Sequence, residues 1–291
     1  MTHANVKILV CCHKKDIMAT EAPYFPIHVG KALSDKDLSI QPDNEGENIS
    51  HKNQSYCELT GMYWAWKNLK NVDVIGLCHY RRYFDFHNQC RKGFPQTNFT
   101  TDKFNTVDLS IPEKYIEQVK NGKVIVAKPK LYTRTLVDDY CFNHISEDLR
   151  TLEKIIVETQ PENIRRAYFN IMIQGHKLRH FNMFIMKWQD FDQYCSWLFP
   201  LLKSIEEKTD ISHYDSVQKR IYGYIAERLF NVWLEAKKNK SLIERPIIWF
   251  TEAYDNLRNY NIVTYTLREL KNSLAFKLLL PRIPPKAFKL K

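Results

Sequence analysis

The six residues His79-Tyr80-Arg81-Arg82-Tyr83-Phe84 bring two guanidinium groups and an imidazole to the end of an apolar run, Val72-Asp73-Val74-Ile75-Gly76-Leu77-Cys78. That run reads as a buried parallel strand. Ligands of open α/β sheets bind just beyond the carboxyl ends of such strands. Guanidinium groups are costly to bury alone, so an anionic ligand or an internal carboxylate must compensate them. Continued alternation along the strand predicts His79 and Arg81 on one face, with Tyr80 and Arg82 on the other. Two readings follow: an anion pocket, or a structural arginine–carboxylate network.

Other polar groups recur at spacings that can do chemistry. His180 and Asn182 flank the mouth of a predicted strand, Phe181-Asn182-Met183-Phe184-Ile185-Met186. Asp215, Arg220, Glu227 and Arg228 gather around a later helix, on which Gly223, Glu227 and Asn231 share a face. Glu227 is equally well read as the partner of a neighbouring arginine at a helix surface. Asp85 and His87 repeat the alternate spacing after the strand-end cluster and are fallback ligands for a divalent ion. Asp35-x-Asp37 and Asp190-x-Asp192 follow no apolar strand directly and read as surface carboxylates. No GxGxxG, GxxxxGK[ST], HExxH, GxSxG or EF-hand pattern is present. The thiols Cys11, Cys12 and Cys78 lie in predicted core strands, where an inert role is expected.

The elements that must position these groups are legible as periodic segments. Val6 to Cys12 predicts a first buried strand ending at His13-Lys14-Lys15, and Ile27 to Gly30 a short second one. Residues 34–53 form a polar connection or lid, with a surface turn over Asp43 to Asn48. Ser55 to Leu69 predicts one helix with Leu59, Met62, Tyr63, Trp66 and Leu69 on its stripe. Trp64 lies off that stripe and is expected to face a ligand or the core. Residues 85–112 predict a long functional loop. Further strands are expected over Lys123 to Pro129 and Pro246 to Phe250, and helices over Leu136 to Met172, Phe191 to Ile205 and Tyr214 to Ala236.

The composition excludes several classes. The 291 residues, 44% hydrophobic and 13% aromatic, suit one mixed α/β domain with a helical C-terminal portion. Seven cysteines without a CxxC pair point to reduced thiols in a cytoplasmic protein and away from structural zinc. The N-terminus does not read as a secretory signal, and no run approaches the length of a membrane span. The net charge of +10 owes much to residues 271–291, which carry six cations and no acid. That end, rich in bulky apolar residues and interrupted by proline, suits an anionic membrane surface. Nucleic acid is not the expected partner, because the cations concentrate at one strand end and in the tail rather than over a face with stacking aromatics.

The apolar strand, its polar end and the later Asn182 strand together resemble a GT-A type nucleotide-sugar glycosyltransferase, a mostly parallel α/β sheet flanked by helices. Five blocks in order look like the signature of the bacterial family catalogued as domain of unknown function 4422: Asp43 to Asn53, Glu58 to Asn68, Gly76 to Phe84, Phe181 to Met186 and Arg220 to Leu229. The resemblance covers roughly residues 5–250, leaving 251–291 as a basic extension. It implies a glycosyltransferase of capsule, exopolysaccharide or O-antigen biosynthesis, moving a hexose such as galactose or galactofuranose from a UDP-linked donor to a lipid-linked saccharide. Such folds place an Asp-x-Asp for a divalent metal where this chain has His79-x-Arg81. The expectation is therefore direct neutralisation of the diphosphate by His79 and Arg81 with support from Arg82, or Mn or Mg held by Asp85 and His87. His180 and Asn182 would line the sugar pocket, and Glu227 or Asp215 would deprotonate the acceptor. The alternative is a non-catalytic binding protein for anionic glycan or nucleic acid.

Overall fold

The computed structural model describes residues 4–237 and 241–252, so the basic tail lies outside the described residues. Strand β1 (Val6–Cys12) is buried through its centre, as its unbroken apolar run requires, and is followed by β2 (Tyr24–His28) and the two-residue β3 (Gln41–Pro42). The helix expected over 55–69 is two helices, α1 (Asn53–Tyr56) and α2 (Leu59–Asn68). Cys57 parts them at φ 53°, a conformation in which a helix cannot continue. Next come β4 (Val74–His79), β5 (Arg82–Phe84) and β6 (Gln96–Thr100), then α3 (Glu113–Lys120) and β7 (Val124–Ala127). Residues 85–112 are thus not all loop. The pairing that holds β6 comes from a strand far along the chain, and its own residues carry almost no apolar signal.

The chain continues through β8 (Lys130–Leu131), α4 (Leu136–Asn143), α5 (Ser146–Thr159), α6 (Glu162–Tyr168) and β9 (Lys177–Leu178). Thr135 caps α4 by accepting the Asp138 N–H at 3.1 Å. The remaining elements are β10 (Phe184–Lys187), α7 (Trp188–Glu206), α8 (Ile221–Ala236), β11 (Leu242–Arg245) and β12 (Ile247–Thr251). Among the described residues no helix is long and apolar enough to cross a membrane.

These residues form two compact units. The first comprises described residues within 4–128, 181–197 and 241–252. Its sheet runs β11-β7-β10-β4-β1-β2-β3, with β5, β6 and β12 branching from β4. β1 pairs in parallel with β2 and β4, β2 with β3, and β7 with β11, while β10 runs antiparallel between β4 and β7. The chain thus lays β2 and β3 on one side of β1 and then crosses to lay β4 on the other. The carboxyl ends of β1 and β4 form the topological switch point, the crevice that open α/β sheets use for ligands.

The core of this unit is the two-sided apolar surface of the central strands, including Ile8, Val10, Val74, Ile125 and Ile185. Gly76 sits at its tightest approach: a Cβ there would meet Ile8 Cδ1 at 2.7 Å and the Phe184 carbonyl oxygen at 3.0 Å. Gly76→Ala should lower stability by about 1–3 kcal/mol, the usual range for overpacking. Denaturant unfolding checks this, and an unchanged midpoint would show that the neighbours yield freely.

Of the two settings open to Trp64, the core is the one found: it is buried, stacks on Phe25 and donates Nε1–H to the Glu45 carbonyl at 3.0 Å. One expectation for this unit is corrected. Asp43, expected in a surface turn, is fully buried and accepts the N–H groups of Gly30 and Lys31 and the Ser50 hydroxyl. Three donors aimed at one carboxylate make this polar segment a built scaffold.

The second unit, described within 129–180 and 198–237, is mostly helical. α5 packs against α4 and α6, and α8 against α6. On α8 Ile221, Ile225, Leu229 and Val232 form the buried stripe expected from their spacing. The ladder between β8 and β9 is its only sheet among the described residues.

Candidate active site

In the first unit the strand-end cluster is built on a reversal. β4 ends at His79, and β5 returns antiparallel beside it with His79 opposite Arg82. The expected alternation through Arg82 therefore fails, because Tyr80 and Arg81 form the turn and belong to neither face. Pairing of β5 with β12 pulls the chain back and holds Arg82 opposite Trp249.

Each cation has a distinct setting. Arg81 meets Asp16 with two parallel hydrogen bonds, Nε to Oδ1 at 3.1 Å and Nη2 to Oδ2 at 2.7 Å, and also meets Glu252. Burial alone would raise the Asp16 pKa, but the Arg81 hydrogen bonds and the Ile17 N–H hold it below the ordinary carboxylate range. Lys14 is a second cation on Asp16, at 3.3 Å. The Arg82 guanidinium lies 4.6 Å from the Phe181 ring centroid and 4.3 Å from that of Trp249, a cation–π contact with two rings that meet each other edge to face. From the end of β1, the His13 ring meets the edge of Tyr80 at 5.6 Å.

His79 Nε2 lies 2.8 Å from the Phe181 carbonyl oxygen. A carbonyl only accepts, so this nitrogen carries the hydrogen. Phe181 and Asn182 both have positive φ, 75° and 51°, which is strained for a bulky residue such as phenylalanine. The strain is held from two sides: His79 grips the Phe181 carbonyl, and the Asn182 amide donates to Glu58 Oε1 at 2.7 Å. Asn182 is buried before β10, not inside it.

Asp85 is fully buried and accepts the backbone N–H groups of His87 at 3.0 Å and Cys90 at 2.7 Å. Burial opposes ionisation, and those backbone hydrogen bonds outweigh it, so its pKa is lowered. His87 Nε2 faces the Ser110 oxygens instead. This donor set serves a loop cap and does not fit a divalent ion. Among the described residues no three His, Cys, Asp or Glu side chains are grouped to hold one.

In the second unit, His180 joins two groups distant in sequence. Its Nε2 lies 2.6 Å from the Tyr132 hydroxyl, and its Nδ1 lies 3.7 Å from Glu227 Oε2. The Tyr132 and His180 rings stack at 5.7 Å. Asn231, one turn beyond Glu227 on α8, accepts the Arg179 N–H and donates to the Arg179 carbonyl, both at 3.1 Å. The polar strip of α8 therefore sets both the carboxylate and the backbone just before His180. Arg228 turns the other way, to Asp139 at 3.1 Å. Asp215 accepts the N–H groups of Val217 and Gln218 at 2.8 Å, as a turn cap.

Residues 7–239 match the family model described as a domain of unknown function, DUF4422. The chain belongs to this family. Its fold is similar to that of the WbbM bifunctional glycosyltransferase in its apo structure, with a TM-score of 0.77 and 28% identity over 84% of this chain. The match covers 45% of the WbbM chain, so this DUF4422 chain corresponds to less than half of that protein. No curated protein matches it.

Within the DUF4422 chain, sequence reasoning placed His79, Arg81 and Arg82 at a strand end and found the partners of none. Asp16 had a readable signal, an acid just beyond the cations that close β1. Tyr132 and Trp249 had none, since each meets its partner through long-range pairing.

Proposed function

We propose that this chain transfers a hexose, galactose or galactofuranose, from a UDP-linked donor to a hydroxyl of a lipid-linked saccharide during capsule, exopolysaccharide or O-antigen assembly. The observation that carries this reading is the likeness to a glycosyltransferase across 84% of the chain. The cations at the β1–β4 switch point support it, because a diphosphate needs charge-assisted donors there. Arg82, Lys14 and Arg81 are the donors of this reading. Arg81 already has the buried Asp16, and the exposed Glu252 is the partner a phosphate would displace. His79 and Asn182 shape the turn beside them. In the second unit, His180 and Glu227 are the groups that take up the acceptor proton. The basic C-terminal segment attaches the protein to an anionic membrane surface where a lipid-linked acceptor resides.

UDP-galactose and UDP-galactofuranose should raise the melting temperature by mass action, with slow release of UDP. Absence of both stabilisation and UDP release with either sugar overturns the reading in favour of a glycan-binding protein. The Asp85 cap further predicts that UDP release survives EDTA. Loss of turnover restored by manganese would return Asp85 and His87 to the site.

A further inference from the structure

The second unit contains a chain of three groups that can move a proton. The Glu227 carboxylate only accepts, so its place beside Nδ1 favours a hydrogen on that nitrogen of His180. Nε2 then holds a lone pair and accepts the Tyr132 O–H across 2.6 Å. Both His180 and Glu227 keep 16% of their side chains exposed, so water reaches the pair. Burial, reinforced by Asp139 and Glu227 and opposed by Arg228, pushes the Tyr132 phenol well above its ordinary pKa. Tyr132 is therefore a neutral phenol at rest, with its proton aimed at an imidazole. A packing role alone would call for the ring stack; it would not call for a carboxylate on the far nitrogen or for the Asn231 clamp on Arg179.

We propose that Tyr132, His180 and Glu227 form a proton relay in which the Tyr132 oxygen receives the proton of the acceptor hydroxyl. This rests on the transfer reaction proposed above and states where its proton goes. The acceptor oxygen lone pair bonds to the anomeric carbon, and the bond from that carbon to the β-phosphate oxygen breaks with its electron pair leaving on UDP. The acceptor proton passes to the Tyr132 oxygen while the Tyr132 proton passes to His180 Nε2. The imidazolium faces Glu227 and then releases one proton to water, so UDP-sugar and alcohol give glycoside, UDP and a proton. Tyr132 is the catalytic residue of this step, with His180 and Glu227 acting through it.

Nitrogen-15 NMR of the full chain, with His180 assigned by its loss in His180→Gln, reads the tautomer directly. The expected form has hydrogen on Nδ1 and a lone pair on Nε2; hydrogen on Nε2 at neutral pH overturns the relay. With UDP-galactose and water as the acceptor, Tyr132→Phe and His180→Gln should each lower UDP release about 10²-fold with KM little changed. The double variant should be scarcely slower than either single one, since the residues act as a unit. Imidazole should partly restore His180→Gly, which a purely structural histidine would not permit. Unchanged release in Tyr132→Phe removes the tyrosine from the step. A wild-type protein that releases no UDP sinks the transfer reaction instead, while the tautomer still decides whether the wire exists.

Discussion

Glu227→Gln is expected to lower the transfer rate about 10²-fold or more while leaving donor affinity unchanged, the scale of a lost proton-transfer group. Glutamine keeps the size of the side chain and removes the negative charge 3.7 Å from His180 Nδ1. An imidazole without that charge is a weaker proton acceptor, and its hydrogen is no longer directed to Nδ1. The α8 backbone should not move, because Asn231 holds Arg179 and the Glu227 carbonyl rather than the Glu227 carboxylate. Initial rates of UDP release and calorimetric titration with the UDP-sugar separate the two quantities. Unchanged turnover would free Glu227 of any role, and the same loss confined to Asp215→Asn would move the role to that carboxylate.

Arg81→Ala should destabilise the protein by about 2–4 kcal/mol at neutral pH, because it strands a largely buried carboxylate. Asp16 retains only 8% of its side-chain exposure and would keep Lys14 at 3.3 Å as its remaining cation. The effect has a pH signature. With its native pKa lowered, Asp16 binds its proton less tightly in the folded state than in the unfolded chain. Its contribution to stability is fully present above the ordinary carboxylate value of about 4 and is lost as pH falls through the lowered native value. The deficit of Arg81→Ala should therefore shrink in acid. Urea midpoints at pH 7 and pH 3 test this, and a deficit independent of pH would detach Asp16 from it. The double variant Asp16→Ala/Arg81→Ala should regain part of the stability, since no buried charge is left unpaired and the Lys14 and Glu252 groups it releases are exposed. If it still binds UDP normally, Arg81 is structural only; if its affinity falls by about 1.5–3 kcal/mol, the guanidinium also meets the ligand.

Much of the frame was legible because periodicity survives in it. β1, β4 and β7 are apolar runs that the sheet buries, and the stripe on α8 falls where a 3.6-residue repeat puts it. The cation cluster was legible as a location but not as a geometry. Alternation assumes a strand that goes on, whereas β5 is turned back by its pairing with β12, more than 150 residues later in the chain. Trp64 stayed open between ligand and core for a related reason: an amphipathic stripe counts one neighbour, yet α2 also has the Phe25 ring and the Glu45 carbonyl against its other side. The Tyr132–His180–Glu227 chain and the Arg81–Asp16 pair unite residues between 47 and 65 positions apart. No local pattern encodes such meetings. The positive φ of Phe181 was equally invisible, because the usual marker of that conformation is glycine.

The hydrogen bond from His79 to the Phe181 carbonyl insulates the strained turn from acidity. A carbonyl can hold only the protonated face of the ring, so Nε2 keeps its hydrogen in both charge states of the imidazole. Charging His79 adds a proton at the opposite nitrogen and leaves this contact in place, with a stronger, charge-assisted donor. The bend at residues 181–182 is thus held by a contact that either charge state of the ring can make.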